Sequence, residues 1–194
     1  MMRLTFTLAL LCLAYTAFSQ QFFPYDLPVS VDQQPLAHPW AGGLNKPQFS
    51  TIDFNEDGHP DLFVFDREGG AILPFLSTGE PGQAQFTYAP EYVNYFPSLR
   101  DWALLRDYNQ DGVMDIFTNA YDQPPQGIAA YQGSMENGEL SFQRINFPFD
   151  FNLLYAQQSN GSFLNLYCSF EDIPAIDDID NDGDLDILAF EPNG

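Results

Sequence analysis

The chain has 194 residues, is 45% hydrophobic and 16% aromatic, and carries a formal net charge of −21 with Lys46 as its single lysine. That length holds one domain or two small ones, and the apolar content excludes a disordered chain. The acidity excludes nucleic acid and anionic membranes as partners and leaves cations, glycans and proteins.

Residues 1–19 read as a secretory leader. Arg3 supplies the positive start, Leu4 to Ala17 form a short apolar run, and Ala17-Phe18-Ser19 is a small-x-small cleavage signal. Cleavage after Ser19 gives an exported chain, secreted or held at the cell surface, with no membrane insertion once the leader is gone. A lipid anchor on Cys12 is the alternative, but Leu11 is large for the position before such a cysteine. An extended segment follows over 20–38. Without the leader Cys168 is the one remaining cysteine, so no internal disulfide is expected. It lies in the strand-like run LNLYCSF, which predicts a buried thiol.

Beyond residue 38 one pattern occurs three times, as DFNEDGHPD from Asp53, DYNQDGVMD from Asp107 and DIDNDGDLD from Asp178. The starts lie 54 and 71 residues apart, and these windows hold 12 of the 27 acidic residues. The charge is therefore concentrated in loops rather than spread over a surface. QFSTI, WALLR and IPAID precede the loops, while LFVF, IFTN and ILAF follow them, and all six read as strands. The second loop position is apolar in each copy (Phe54, Tyr108, Ile179), and these side chains are expected to tuck into the core.

AILPFLS after the turn Glu68-Gly69-Gly70 predicts one hairpin, and GIAAYQGS, Asn137-Gly138 and ELSFQRI predict another. Asn160-Gly161-Ser162 is a glycosylation pattern or a hairpin turn, and the turn is the favoured reading. No amphipathic helix is expected. Each unit is then an antiparallel sheet of about four strands with an acidic loop between its first two strands. The expected fold is all-β, a partial β-propeller of about two and a half four-stranded blades. The units span 39–98, 99–165 and, incomplete, 166–194. Because the chain stops soon after the first strand beyond the third loop, it reads as a truncated arc of a larger ring with raw sheet edges at its C-terminal end.

The acidic loops read as oxygen cages for a divalent cation. Positions 1, 3, 5 and 9 offer side-chain oxygens: Asp53, Asn55, Asp57 and Asp61; Asp107, Asn109, Asp111 and Asp115; Asp178, Asp180, Asp182 and Asp186. Position 7 offers a backbone carbonyl, from His59, Val113 and Asp184. Glycine at position 6 permits the sharp turn. An all-oxygen donor set suits calcium, one ion per loop and up to three in all, better than magnesium, zinc or copper. It is not an EF-hand: position 12 holds Val64, Thr118 or Ala189 where that motif needs glutamate, and the flanks are strands. One such loop could be a plain Asx turn. Three copies with the same position-9 aspartate favour metal, since a turn has no evident use for Asp61, Asp115 or Asp186.

These residues resemble the FG-GAP and VCBS-like repeat family, which includes the integrin α-subunit propeller with its calcium loops. The stretches WAGGLNKPQFSTIDFNEDGHPDLFVFDREG and DWALLRDYNQDGVMDIF are similar to secreted Bacteroidota repeat proteins, many of which carry a type IX sorting domain. The resemblance implies a non-catalytic calcium-binding propeller in cell-surface adhesion, or in binding a glycan or an extracellular protein. A polysaccharide lyase or hydrolase on a calcium-bearing propeller is the alternative, and a scaffold presenting a downstream domain is a third reading. His38 and His59 have no nucleophile at a recognisable spacing. Trp40, Trp102, Tyr92, Tyr95 and Phe96 are the aromatic candidates for stacking on sugars, with core packing as the favoured role.

Overall fold

A computed structural model describes residues 28–36, 39, 41–78, 85–120, 126–148 and 152–189. The leader, His38 and Trp40 lie outside the described residues. The fold is all-β; among the described residues the pairing is antiparallel throughout and no sheet closes on itself. Its longest helical piece among the described residues is a 3₁₀ turn, Pro90–Tyr95. No helix among them is long and apolar enough to cross a membrane.

A short hairpin, β1 (Ser30–Val31) and β2 (Gln34–Pro35), comes first. The first four-stranded sheet holds β3 (Pro47–Ile52), β4 (Asp61–Asp66), β5 (Ala71–Ser77) and β6 (Phe86–Tyr88), each paired with its chain neighbour. The second repeats that order with β7 (Ala103–Arg106), β8 (Asp115–Asn119), β9 (Ile128–Glu136) and β10 (Glu139–Arg144). Two hairpins follow: β11 (Tyr155–Gln157) with β12 (Phe163–Asn165), then β13 (Ala175–Asp177) with β14 (Asp186–Leu188). The expected four-stranded units are present twice. The β11–β12 hairpin is a separate pair rather than an extension of the second sheet.

Turn chemistry sets these connections. Asn137 and Gly138 both take left-handed φ, 55° and 79°, as the two-residue turn between β9 and β10 requires. Asn160-Gly161 lies in the turn between β11 and β12, where the Asn160 side chain accepts the Ser162 amide at 2.9 Å.

The sheets stack face to face through strand alternation. On β7, Ala103 and Leu105 face the first sheet and join Ile52, Phe54, Phe63 and Phe65 in one core. Leu104 faces the other way, toward a second core holding Trp102, Phe117, Cys168 and Ile176. The second sheet is thus covered on both faces. β3 and β7 also meet through hydrogen bonds, the Ala103 amide donating to Gln48 Oε1 at 3.0 Å and the Leu105 amide to Ser50 Oγ at 3.3 Å. Arg67, beside the β4–β5 turn, donates to the Asp101 carbonyl and, at 3.1 Å, to those of Phe170 and Glu171. One guanidinium thereby ties the approaches to β7 and β13 to the first sheet.

Two expectations need correction. Of the second-position residues only Phe54 is buried; Tyr108 and Ile179 are 41% and 47% exposed. Phe54 is covered by Tyr92 at 4.9 Å and Phe96 at 6.1 Å, both supplied by the segment after β6. Tyr108 meets the edge of Phe117, at 6.4 Å. Cys168 is fully buried, but it lies in irregular chain beyond β12 rather than in a strand. Among the stacking candidates Trp102 is fully buried, and Tyr92 and Phe96 pack on the first core, while Tyr95 is 38% exposed.

Candidate metal centre

Each acidic segment joins the first two strands of its unit: 53–60 between β3 and β4, 107–114 between β7 and β8, 178–185 between β13 and β14. The register is the same in all three. Ile52 pairs with Asp61, Arg106 with Asp115 and Asp177 with Asp186, so position 9 always opens the returning strand.

Within the loops the chain turns twice through left-handed conformations. Position 4 is Glu56, Gln110 or Asn181, with φ of 56°, 58° and 62°; position 6 is Gly58, Gly112 or Gly183, with φ of 81°, 90° and 96°. These turns aim successive amides at the side chains. The position-1 carboxylate accepts two of them: Asp53 from Asp57 and Gly58 at 3.2 and 2.9 Å, Asp107 from Asp111 and Gly112 at 3.1 and 2.9 Å, Asp178 from Asp182 and Gly183 at 3.1 and 3.2 Å. The position-3 oxygen of Asn55, Asn109 or Asp180 accepts the same position-5 amide, at 3.2, 3.2 and 3.1 Å. Positions 1 and 3 therefore converge on one point in every loop. The position-5 carboxylate accepts the amide of His59, Val113 or Asp184, at 2.8, 2.8 and 3.1 Å.

Position 9 has a role the sequence did not disclose. Its Oδ2 accepts the amide at position 2, Phe54, Tyr108 or Ile179, at 2.9 Å in each loop. The other oxygen of Asp61 accepts the Ser77 amide on β5 at 2.6 Å, and that of Asp115 accepts the Gly133 amide on β9 at 2.8 Å. These two buried aspartates lock the loop to the third strand of the sheet, so the turn does have a use for them. Gly133 is required there because a Cβ would stand 2.2 Å from the Met114 carbonyl oxygen. Burial pushes both carboxyls above the ordinary aspartate value, opposed by the amides they accept. Asp57 is held below it, first by the His59 amide and then by the Asn55 side chain.

Loop three differs in charge. In the first two loops the position-3 asparagine donates its Nδ2 to the position-5 carboxylate, at 3.0 Å to Asp57 and 2.8 Å to Asp111. Asp180 has no donor to offer Asp182. Asp184 adds a fifth carboxylate and is pushed above its ordinary value by hydrogen bonding and repulsion from Asp182. Among the described histidines, cysteines and carboxylates, Asp178, Asp180 and Asp186 form the one group of three potential ligands, their oxygens within 4.8 Å of one another. An all-carboxylate set with that spacing fits a hard divalent cation and is compatible with calcium. His59, the one imidazole at a candidate ligand position, belongs to loop one and not to this group.

Residues 53–118, from the first acidic loop through nearly all of β8, match the family model described as an FG-GAP-like repeat. The chain matches none of the curated proteins and none of the solved structures. With two consecutive loop-bearing sheets built alike, the matched segment supports an FG-GAP repeat protein.

Proposed function

We propose that this is an exported, non-catalytic calcium-binding repeat protein whose sheets are blades of a β-propeller and which acts in cell-surface adhesion or in binding a glycan or extracellular protein. The repeat match and the acidic, all-β character support that reading. The observation that carries it is the convergence of Asp178, Asp180 and Asp186 in a loop whose geometry recurs twice. One calcium per loop, up to three, would be held by side chains at positions 1, 3, 5 and 9 and the carbonyl at position 7. When bound, the ion supplies positive charge where carboxylates otherwise repel. The residues themselves hold the two strands of each hairpin in register, so the ion's role is structural.

Isothermal titration of calcium into the folded chain tests this. Binding with a Kd of roughly 10⁻⁴ to 10⁻³ M is expected, the range of extracellular calcium modules. A folded protein that releases or absorbs no binding heat at millimolar calcium would reject it.

A further inference from the structure

The acidic loops are not isolated from one another. Gln110, at position 4 of loop two, donates its Nε2 to the carbonyl of Gly183, at position 6 of loop three, at 2.6 Å. The stems of the same loops are joined as well. Arg106, immediately before loop two, donates Nε to the Ile176 carbonyl at 2.8 Å and pairs with Asp177 at 3.5 Å. Loop three is thus tied to loop two at its base and at its tip.

Position 4 of loop one also lies beside loop two, but its residue is Glu56. Glu56 and Asp53 border a cavity of about 280 Å³ whose far wall includes Asp111, Gly112 and Val113. An ionised carboxylate has no proton to give a carbonyl, so Glu56 cannot make the bond that Gln110 makes. At one junction Gln110 reaches a carbonyl of the next loop, and at the other Glu56 and loop two line a shared cavity.

We propose that Gln110 is a positioning residue for loop three, fixing the Gly183 turn from loop two, so that loops two and three take up calcium as a coupled pair. The calcium part rests on the function proposed above; the positioning part does not. The Gly183 amide donates to Asp178, so the turn that Gln110 holds also sets where that carboxylate lies. By linkage, whatever loop two contributes to loop three's affinity, loop three returns to loop two.

The test is Gln110→Met, which keeps length and backbone preference and removes the donor. In metal-free protein, amide hydrogen exchange at Asp182, Gly183 and Asp184 should quicken roughly five-fold, as for loss of one hydrogen bond, with Asp57, Gly58 and His59 unchanged. In a calcium titration followed by the Gly58, Gly112 and Gly183 amide resonances, the Gly112 and Gly183 midpoints should both rise roughly five-fold and Gly58 should stay. Unaltered exchange in loop three overturns the assignment to Gln110. Shifted exchange with unmoved calcium midpoints overturns the coupling. A wild-type protein in which none of the three glycine amides responds to calcium overturns the calcium reading itself, while the exchange comparison still decides the positioning role.

Discussion

Asp115 accepts the backbone amide of Gly133 at 2.8 Å, joining the start of β8 to the middle of β9 from inside the sheet. The same carboxylate accepts the Tyr108 amide at 2.9 Å, so one fully buried side chain fixes the loop, its returning strand and the strand beyond. Asp61 does the same work in the first sheet through Phe54 and Ser77.

Asp115→Asn should therefore destabilise the protein even without metal. An amide has one oxygen, so one backbone donor loses its acceptor and meets an N–H group instead. The expected loss is about 1–3 kcal/mol. Urea unfolding in the presence of a chelator reads it directly, and an unchanged midpoint there would mean that the aspartate serves the metal alone.

Gly133→Ala should cost about as much by a different route. The added methyl would stand 2.2 Å from a backbone oxygen, which no side-chain rotation relieves. Overpacking of this kind typically costs about 1–3 kcal/mol. Alanine at Gly112 meets no neighbouring atom and is strained only by its φ of 90°, so comparing the two variants' urea midpoints separates collision from backbone preference.

Asp180→Asn gives loop three the position-3 residue of the other two loops. Its amide can then donate to Asp182, as Asn55 and Asn109 do to their partners. Thermal melts in chelator should show a gain of roughly 0.5–1 kcal/mol, while melts in millimolar calcium should show a smaller calcium-induced rise than wild type. A variant less stable than wild type in chelator would contradict the charge argument.

Acid should reveal Asp66. The Lys46 and Asn45 amides, at 3.0 and 3.1 Å, hold its carboxyl below the ordinary value, with the Glu68 amide adding to them. A depressed folded-state pKa contributes stability that is present above the unfolded value, about 3.9, and is lost as pH falls through the folded value. Between pH 5 and about 2, wild type should lose more stability than Asp66→Asn, measured as urea midpoints. Parallel curves for the two proteins would count against this.

Cys168 should be inert in the folded chain. Burial pushes its thiol up to about 11, Asp172 adds to the rise, and Trp102 and Arg67 oppose it. In a Cys12→Ser background, alkylation at pH 8 should be at least about ten-fold slower in native protein than in denaturant, since the thiolate is the reactive form. Equal rates would show that the second core opens readily.

Much of this architecture was legible in local chemistry. Left-handed glycines, Asn-Gly turns and alternating apolar strands act within a few residues, so the loops, their flanking strands and the β9–β10 hairpin could be read in advance. Other features depend on partners distant in the chain. Phe54 and Tyr108 occupy equivalent positions, yet only Phe54 is buried, because Tyr92 and Phe96 return over it. Nothing adjacent to Asp115 marks it as the acceptor for an amide 18 residues on. Gln110 looks like one more polar loop residue until loop three is folded beside it.

The sequence by itself determined that this chain is all-β, that it repeats, and that each repeat places oxygen donors in a sharp acidic turn, because turn geometry and strand periodicity are short-range properties. Tertiary structure decided which aspartates also brace neighbouring strands and which loops touch. Those outcomes depend on sheets stacking and strands meeting across tens of residues, and packing between distant segments leaves no local signature.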